Sequence, residues 1–139
     1  MAFSNPSDEK RREILQQAKV IAVVGLSNKP DRTSYMIAAA LQRAGYKIIP
    51  VNPTIDEVLG EKAAPSLSEI KEHVDIVNVF RRSEQVLPVA EEAVKIKAGT
   101  LWLQQGIYNE EAAKLAQDNG LNVVMDRCIK VDHALLMPR

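Results

Sequence analysis

The polar segment at positions 25–34 has the residue types that bind a phosphate group. It follows an apolar run and precedes a predicted helix, and its candidate ligands are Gly25, Leu26, Ser27, Asn28, Lys29, Arg32, Thr33 and Ser34. Gly25 permits a tight turn, and the Ser27 hydroxyl and the Arg32 guanidinium can hydrogen-bond phosphate oxygens. The helix N-terminus adds free N–H groups and the positive end of a dipole. An ordinary strand–loop–helix link capped by serine remains the alternative interpretation.

Only the first glycine of the dinucleotide fingerprint G-x-G-x-x-G is present, at Gly25. The second predicted strand ends at Asn52 and Pro53, where an NAD enzyme usually has a carboxylate for the ribose hydroxyls. The first carboxylate after this strand is Asp56, and no arginine stands there to suit NADP. These positions therefore disfavour both dinucleotides, although Asn-Pro can also simply end the strand as a turn.

Two further strand ends offer candidate ligand contacts. Phe80, Arg81 and Arg82 follow the third strand, where a guanidinium fork suits phosphate and Phe80 is suited to wall an adenine. Gln104, Gln105 and Gly106 follow the fourth strand, where glycine lets the backbone approach a ligand closely. Solvated arginines and a plain loop are the alternatives. Of the two arginines, Arg81 is the favoured ligand.

Hydrophobic patterning predicts strands that alternate with helices. The strands are predicted at 19–24, 46–51, 75–80, 100–104 and 121–125, and helices at 33–44 and 84–97, with further helices capped by Ser7 and Asn109. Because the strands are continuous apolar runs, they indicate a parallel sheet covered on both faces. We therefore predict one α/β domain, residues 1–139, with a three-layer Rossmann-like doubly wound fold and a five-stranded, mainly parallel sheet. Residues 54–72 are expected to be a loop with one short helix, and those after 125 a tail.

Composition narrows the class of protein. The 139 residues suit one domain, and 18 basic residues balance 18 acidic ones, so we expect no nucleic-acid partner. The apolar runs are too short to span a membrane, and the first residues are too polar for a secretory signal. One cysteine, Cys128, favours a reducing cytoplasmic location. A homodimer through the N-terminal helix or the edge strands, or another protein partner, is left open.

Six segments together carry a family resemblance. They are Val23-Val24-Gly25-Leu26-Ser27, Arg32-Thr33-Ser34, Ile49-Pro50-Val51-Asn52-Pro53, Asp75-Ile76-Val77-Asn78-Val79-Phe80-Arg81, Leu101-Trp102-Leu103-Gln104-Gln105-Gly106 and Val123-Val124-Met125-Asp126-Arg127-Cys128. With them the chain resembles the small stand-alone CoA-binding proteins over about 19–133. That family is similar in fold to the CoA-binding domain of the succinyl-CoA synthetase α subunit.

The resemblance implies that loop 25–34 holds the diphosphate of coenzyme A. It further implies that Asn52 and Pro53 border the adenosine, and that Phe80, Arg81 and residues 104–106 complete the site. CoA carries a 3′-phosphate, so a site with arginines and without a ribose carboxylate suits it. The phosphorylated histidine of the synthetase belongs to a second domain that is missing from these 139 residues, so ligase activity is not implied.

The remaining reactive side chains predict no catalysis. His73 precedes the third strand, at the end opposite the ligand, and His133 is expected to be structural. No residues have metal-ligand spacing. Cys128 is expected to pack as a small hydrophobe, with a mixed disulfide to the CoA thiol as the alternative.

The sequence thus predicts a non-catalytic module that binds CoA or acyl-CoA. A small NAD(P)-dependent oxidoreductase and a regulatory subunit with an empty nucleotide pocket are the alternatives.

Overall fold

A computed structural model describes residues 3–137 of the chain. The helices are α1 (Asp8–Gln17), α2 (Thr33–Arg43), α3 (Val86–Lys95), α4 (Glu110–Asp118) and α5 (Ile129–Leu136). The strands are β1 (Val20–Val24), β2 (Lys47–Val51), β3 (Glu57–Val58), β4 (Glu61–Lys62), β5 (Ile76–Val79), β6 (Thr100–Leu103) and β7 (Asn122–Val124). Short 3₁₀ turns occupy Leu67–Glu69 and Ser83–Gln85.

The central sheet has five strands in the order β2-β1-β5-β6-β7. Every neighbouring pair is parallel; Val24, for example, is level with Val51 on one side and with Val79 on the other. Strand order reverses between β1 and β5, because the chain proceeds from β1 outward to β2 and then returns to the other side. This confirms the predicted α/β, Rossmann-like sheet. In open α/β sheets ligands generally bind beside such a reversal, which here lies at the carboxyl ends of β1 and β5.

Helices cover both faces of the sheet. On one face α3 and α4 pack their alanines, such as Ala90 and Ala113, against strand residues that include Val24. On the other face α1, α2 and α5 pack residues such as Leu15 and Ile129 against the alternate strand residues. Buried strand side chains on both faces explain why the strands are continuous apolar runs.

Helix caps predicted from the sequence are confirmed at two places. The Ser7 hydroxyl accepts a hydrogen bond from the Lys10 N–H, and Asn109 Oδ1 accepts one from the Ala112 N–H. Pro88 lies in the first turn of α3, where a missing N–H costs no helical hydrogen bond.

Two segments differ from the sequence prediction. Residues 54–72 contain the antiparallel hairpin β3–β4 in addition to a short helical turn. The expectation of a tail after residue 125 is wrong, because α5 packs there. Its buried Asp132 binds Arg11 of α1 and Arg127, with N–O distances of 2.9 and 2.8 Å. A helix fixed by a buried carboxylate lacks the apolar pattern that would have predicted it.

Within residues 3–137, no helix has both the length and the apolar character needed to cross a bilayer. The same residues contain no group of three or more His, Cys, Asp or Glu side chains that could hold a metal ion.

Candidate functional site

Gly25 brings the first loop against the end of β5. Its φ is 87°, a left-handed value that favours glycine, and its N–H donates to the Val51 carbonyl at 2.9 Å. A Cβ at this position would lie 2.5 Å from the Phe80 carbonyl oxygen. Glycine is therefore required both for the turn and for the close approach of the two strand ends.

Hydrogen bonds within the loop hold it in shape. The Ser27 N–H donates to Ser34 Oγ at 3.0 Å, and the Lys29 N–H donates to Ser27 Oγ at 3.1 Å. The Arg32 N–H donates to the Lys29 carbonyl at 3.0 Å. Ser34 is buried, so its hydroxyl supports the loop from inside, whereas the side chains of Lys29 and Arg32 are exposed.

The N-terminus of α2 has no side-chain cap. Its N-cap residue, Arg32, has extended backbone and no capping hydrogen bond, and the first turn contains no acidic residue. Helix geometry leaves the N–H groups of Thr33, Ser34 and Tyr35 without intrahelical acceptors. These groups, the positive dipole end and the exposed side chains of Lys29 and Arg32 together favour an anion at this helix end.

Asn52 ties the loops after β1 and β2 together. Its Nδ2 donates to the Leu26 carbonyl at 3.0 Å, and its Oδ1 accepts from the Thr54 N–H and hydroxyl at 2.9 and 2.7 Å. The Leu26 side chain is completely buried, so only its main chain faces the loop. Asn52 therefore uses its amide to position the site.

One cleft opens above the α2 N-terminus, and we call it the α2-side cleft. Its volume is about 500 Å³. It is lined by Gly25, Ser27, Asn28, Lys29, Arg32, Thr33, Ser34, Asn52, Thr54, Ile55 and Phe80. The structure thus brings most of the predicted loop residues together. Thr54 and Ile55 were missed, because their segment carried no motif.

A second cleft lies on the opposite face of the sheet, and we call it the α3-side cleft. Its volume is about 280 Å³. It is lined by Val24, Val51, Pro65, Ser66, Leu67, Arg81, Gln85, Val89 and Glu92. Arg81 is half-buried here, whereas Arg82 is exposed. The predicted ligands Phe80 and Arg81 therefore line different clefts.

Five predicted site residues line neither cleft: Leu26, Pro53, Gln104, Gln105 and Gly106. Gln104 is buried, and its Oε1 accepts from Asn78 Nδ2 and from the Ile129 N–H, both at 3.3 Å. The Gly106 N–H donates to Asp126 Oδ1 at 2.7 Å. Gln105 and Pro53 are exposed. The main chain of Gly106 and the amide of Gln104 thus serve hydrogen bonds inside the protein.

The remaining reactive side chains lie away from both clefts. Cys128 is half-buried at the N-cap of α5 and packs against the core that α1, α2 and α5 share with the sheet. His73 is exposed beside Asp75, before the amino end of β5. His133 packs its ring edge-on against Tyr46, with ring centroids 5.6 Å apart.

An uncapped α2 N-terminus at the switch point of a parallel sheet is typical of nucleotide-binding α/β domains. A family model described as "CoA binding domain" matches residues 19–134 of the chain. The protein therefore belongs to the CoA-binding domain family, which confirms the resemblance found in the sequence.

Two relatives match nearly the whole chain. The chain is 60% identical to "Uncharacterized protein YneT" of Bacillus subtilis over 133 residues, which are 96% of this chain and 98% of YneT. It is similar in structure to a hypothetical protein from Pyrococcus horikoshii OT3, with a TM-score of 0.91 and 38% identity, over 98% of this chain and 99% of that one.

Longer relatives contain the same domain as one part. The chain is 30% identical to an ADP-forming 4-hydroxybutyrate–CoA ligase of Nitrosopumilus maritimus over 125 residues, which cover 81% of this chain. It spans only 18% of that ligase. These 139 residues are thus homologous to the CoA-binding domain of such ligases, and they match only that part of the ligase.

Proposed function

We propose that this protein binds CoA or an acyl-CoA through the 3′-phospho-ADP part of the molecule. The observation that carries the proposal is the uncapped N-terminus of α2, which opens into the α2-side cleft beside Lys29 and Arg32. A diphosphate supplies the acceptors that the free N–H groups lack and the negative charge that the two cations attract.

Each part of the site has a role in this proposal. The diphosphate lies at the α2 N-terminus, where Lys29 and Arg32 bind its oxygens. Gly25 admits the ligand close to the backbone, and Asn52 with Ser34 holds the loop in the binding conformation. Phe80 forms a wall of the cleft, and the pantetheine arm extends toward solvent or a partner protein.

The proposal assigns binding alone to this chain. The CoA ligases among its relatives are several times longer, so their reaction is not transferred to it. An NAD(P)-dependent oxidoreductase is disfavoured, because the amide of Asn52 stands where a ribose carboxylate would be and already binds Leu26 and Thr54. A reducing cytoplasmic location remains part of the proposal, and the single cysteine supports it.

The test is a ligand series measured by isothermal titration and by thermal shift. The series contains CoA, acetyl-CoA, dephospho-CoA, ADP, NAD and NADP. CoA at about a hundred times its Kd should add about 2.7 kcal/mol to the free energy of unfolding. Stabilisation by NAD or NADP with none by CoA would contradict the proposal and favour the oxidoreductase.

A further inference from the structure

The two clefts lie back to back at the same three strand ends. The α2-side cleft is lined by Gly25, Asn52 and Phe80. Their chain neighbours Val24, Val51 and Arg81 line the α3-side cleft. Successive residues of a strand point to opposite faces of a sheet, so a ligand that crosses the carboxyl edge of β1, β2 and β5 reaches both clefts.

Arg81 brings an unpaired charge to the α3-side cleft. Within residues 3–137, its guanidinium makes no hydrogen bond and no ion pair, although the residue is half-buried. Arg11 and Arg127 differ, because both bind the buried carboxylate of Asp132. A partly desolvated cation without a partner is costly, and an anion bound in the cleft would remove that cost.

We infer that the α3-side cleft holds the adenosine 3′-phosphate end of CoA and that Arg81 binds the 3′-phosphate. This inference rests on the proposed function, which puts the diphosphate on the other side of the strand ends. CoA carries anionic groups on both the 5′ and the 3′ side of its adenosine, and the structure offers a cationic position on each side of the sheet edge.

The rest of the cleft suits a purine base. Val24, Val51, Leu67 and Val89 provide apolar walls for a flat ring. Two residues of the cleft lining, Gln85 at the N-cap of α3 and Glu92 seven residues later, are about 10 Å apart along the helix axis. Glu92 Oε1 accepts from the Ser68 N–H at 3.2 Å, and the second carboxylate oxygen can accept from an exocyclic amine. Because Glu92 repels a phosphate, the base lies toward Glu92 and the phosphate toward Arg81.

The test compares CoA with dephospho-CoA, which lacks only the 3′-phosphate, by isothermal titration. The wild-type protein should bind CoA more tightly. Arg81→Gln should weaken CoA binding about tenfold or more and dephospho-CoA binding less than about threefold, since a phosphate contact is lost from CoA alone. Arg81→Lys, which keeps the charge without the fork, should retain part of the preference for CoA.

Arg82→Gln is the matched control, because it removes the same charge from an exposed neighbour. It should leave the preference for CoA unchanged, and thermal melting should show that all three variants are folded. An equal loss for both ligands in Arg81→Gln would overturn the inference while leaving the proposed function intact. Equal wild-type affinities would also overturn the inference and would limit the proposed function to binding of the ADP part of CoA. If the wild type bound neither ligand, the proposed function itself would fail.

Discussion

The N-termini of α2 and α4 differ in their capping and in the charge of the residues beside them. Both helices follow a strand of the same parallel sheet, so both begin at its carboxyl edge. At α4, Asn109 caps the helix, and Glu110 and Glu111 occupy the first turn. At α2, the N-cap residue is Arg32, with neither a side-chain cap nor an acidic residue in the first turn.

Under the proposed function, the difference separates a helix N-terminus that is capped for stability from one that binds a ligand. Every α-helix begins with N–H groups that lack intrahelical partners. At α4 the chain itself supplies the acceptor and the negative charge that favour folding. At α2 the chain supplies cations instead, which stand unfavourably near the positive dipole end unless an anion binds between them. We therefore expect changes at α2 to affect ligand binding and changes at α4 to affect stability.

The largest expected effect comes from Gly25→Val. Valine would have to adopt the left-handed backbone conformation of Gly25, and its Cβ would collide with the Phe80 carbonyl oxygen. The loop before the α2 N-terminus would therefore have to move. CoA binding should weaken at least about a hundredfold, which corresponds to about 2.7 kcal/mol. The free energy of unfolding should also fall, by about 2–4 kcal/mol. Calorimetry and urea denaturation measure the two effects.

Gly106→Ala is the control for backbone strain alone. Gly106 has the same φ of 87°, but a Cβ there would meet nothing within 4 Å, and the residue lines neither cleft. We expect a loss of about 1 kcal/mol in stability and unchanged CoA affinity. A comparable loss of affinity in both variants would show that the loop after β1 has no special role in binding.

Arg32→Asp should give α2 the kind of cap that α4 already has. An aspartate at the N-cap accepts a hydrogen bond from the first turn and complements the dipole, which should raise the free energy of unfolding by about 0.5–1 kcal/mol. The same change puts a negative charge where the diphosphate is proposed to bind, so CoA affinity should fall about tenfold or more. A more stable protein that binds less CoA is the expected result.

Asn109→Ala is the converse change, because it removes the cap of α4 instead of adding one to α2. Removing the α4 cap should cost about 1 kcal/mol of stability, without a change in CoA affinity. If Arg32→Asp destabilised the protein, or if Asn109→Ala weakened CoA binding, the proposed division between the two helix ends would be wrong.

The sequence predicted this division only in part. The capping role of Asn109 was predictable, because a cap depends on residues three positions apart. The phosphate-binding character of residues 25–34 was also predictable, since the glycine, the cations and the helix start are contiguous. The alternative interpretation, a helix capped by a serine of this loop, is wrong, because the N-cap residue is Arg32 and the Ser34 hydroxyl accepts from the Ser27 N–H.

Longer-range contacts explain what the sequence could not supply. Asn52 was predicted to border the adenosine, yet its amide binds the Leu26 carbonyl, 26 residues away. Gln104 was predicted at the site, and the structure buries it against the start of α5, a helix that the apolar pattern did not predict. Alternation along a strand predicts that Phe80 and Arg81 lie on opposite faces of the sheet, but the cleft beside Arg81 is formed by residues distant in sequence, such as Val51 and Leu67.

The smallest expected effect concerns the stability of the protein in acid and involves the capped N-terminus of α4. The Tyr108 hydroxyl donates to Glu110 Oε1 at 2.7 Å, and the Phe3 N–H donates to the same atom at 3.2 Å. The hydrogen bond from Tyr108, with the one from Phe3, lowers the pKa of Glu110 below its ordinary value of 4.5. A depressed pKa means that the unfolded chain takes up the proton first. The stabilisation is therefore present above pH 4.5 and is lost as the pH falls through that value toward the folded-state pKa.

Glu110→Gln should remove this pH dependence of stability and leave the uncapped N-terminus of α2 unchanged. The stability gap between wild type and variant should be largest near neutral pH and shrink as the pH is lowered below the ordinary carboxyl value. Urea denaturation across that range measures the gap, and CoA titration at neutral pH should give equal affinities. A gap that stayed constant with pH would mean that Glu110 supports α4 through contacts independent of its charge. A change in CoA affinity would mean that the two helix ends are coupled, which the proposed division excludes.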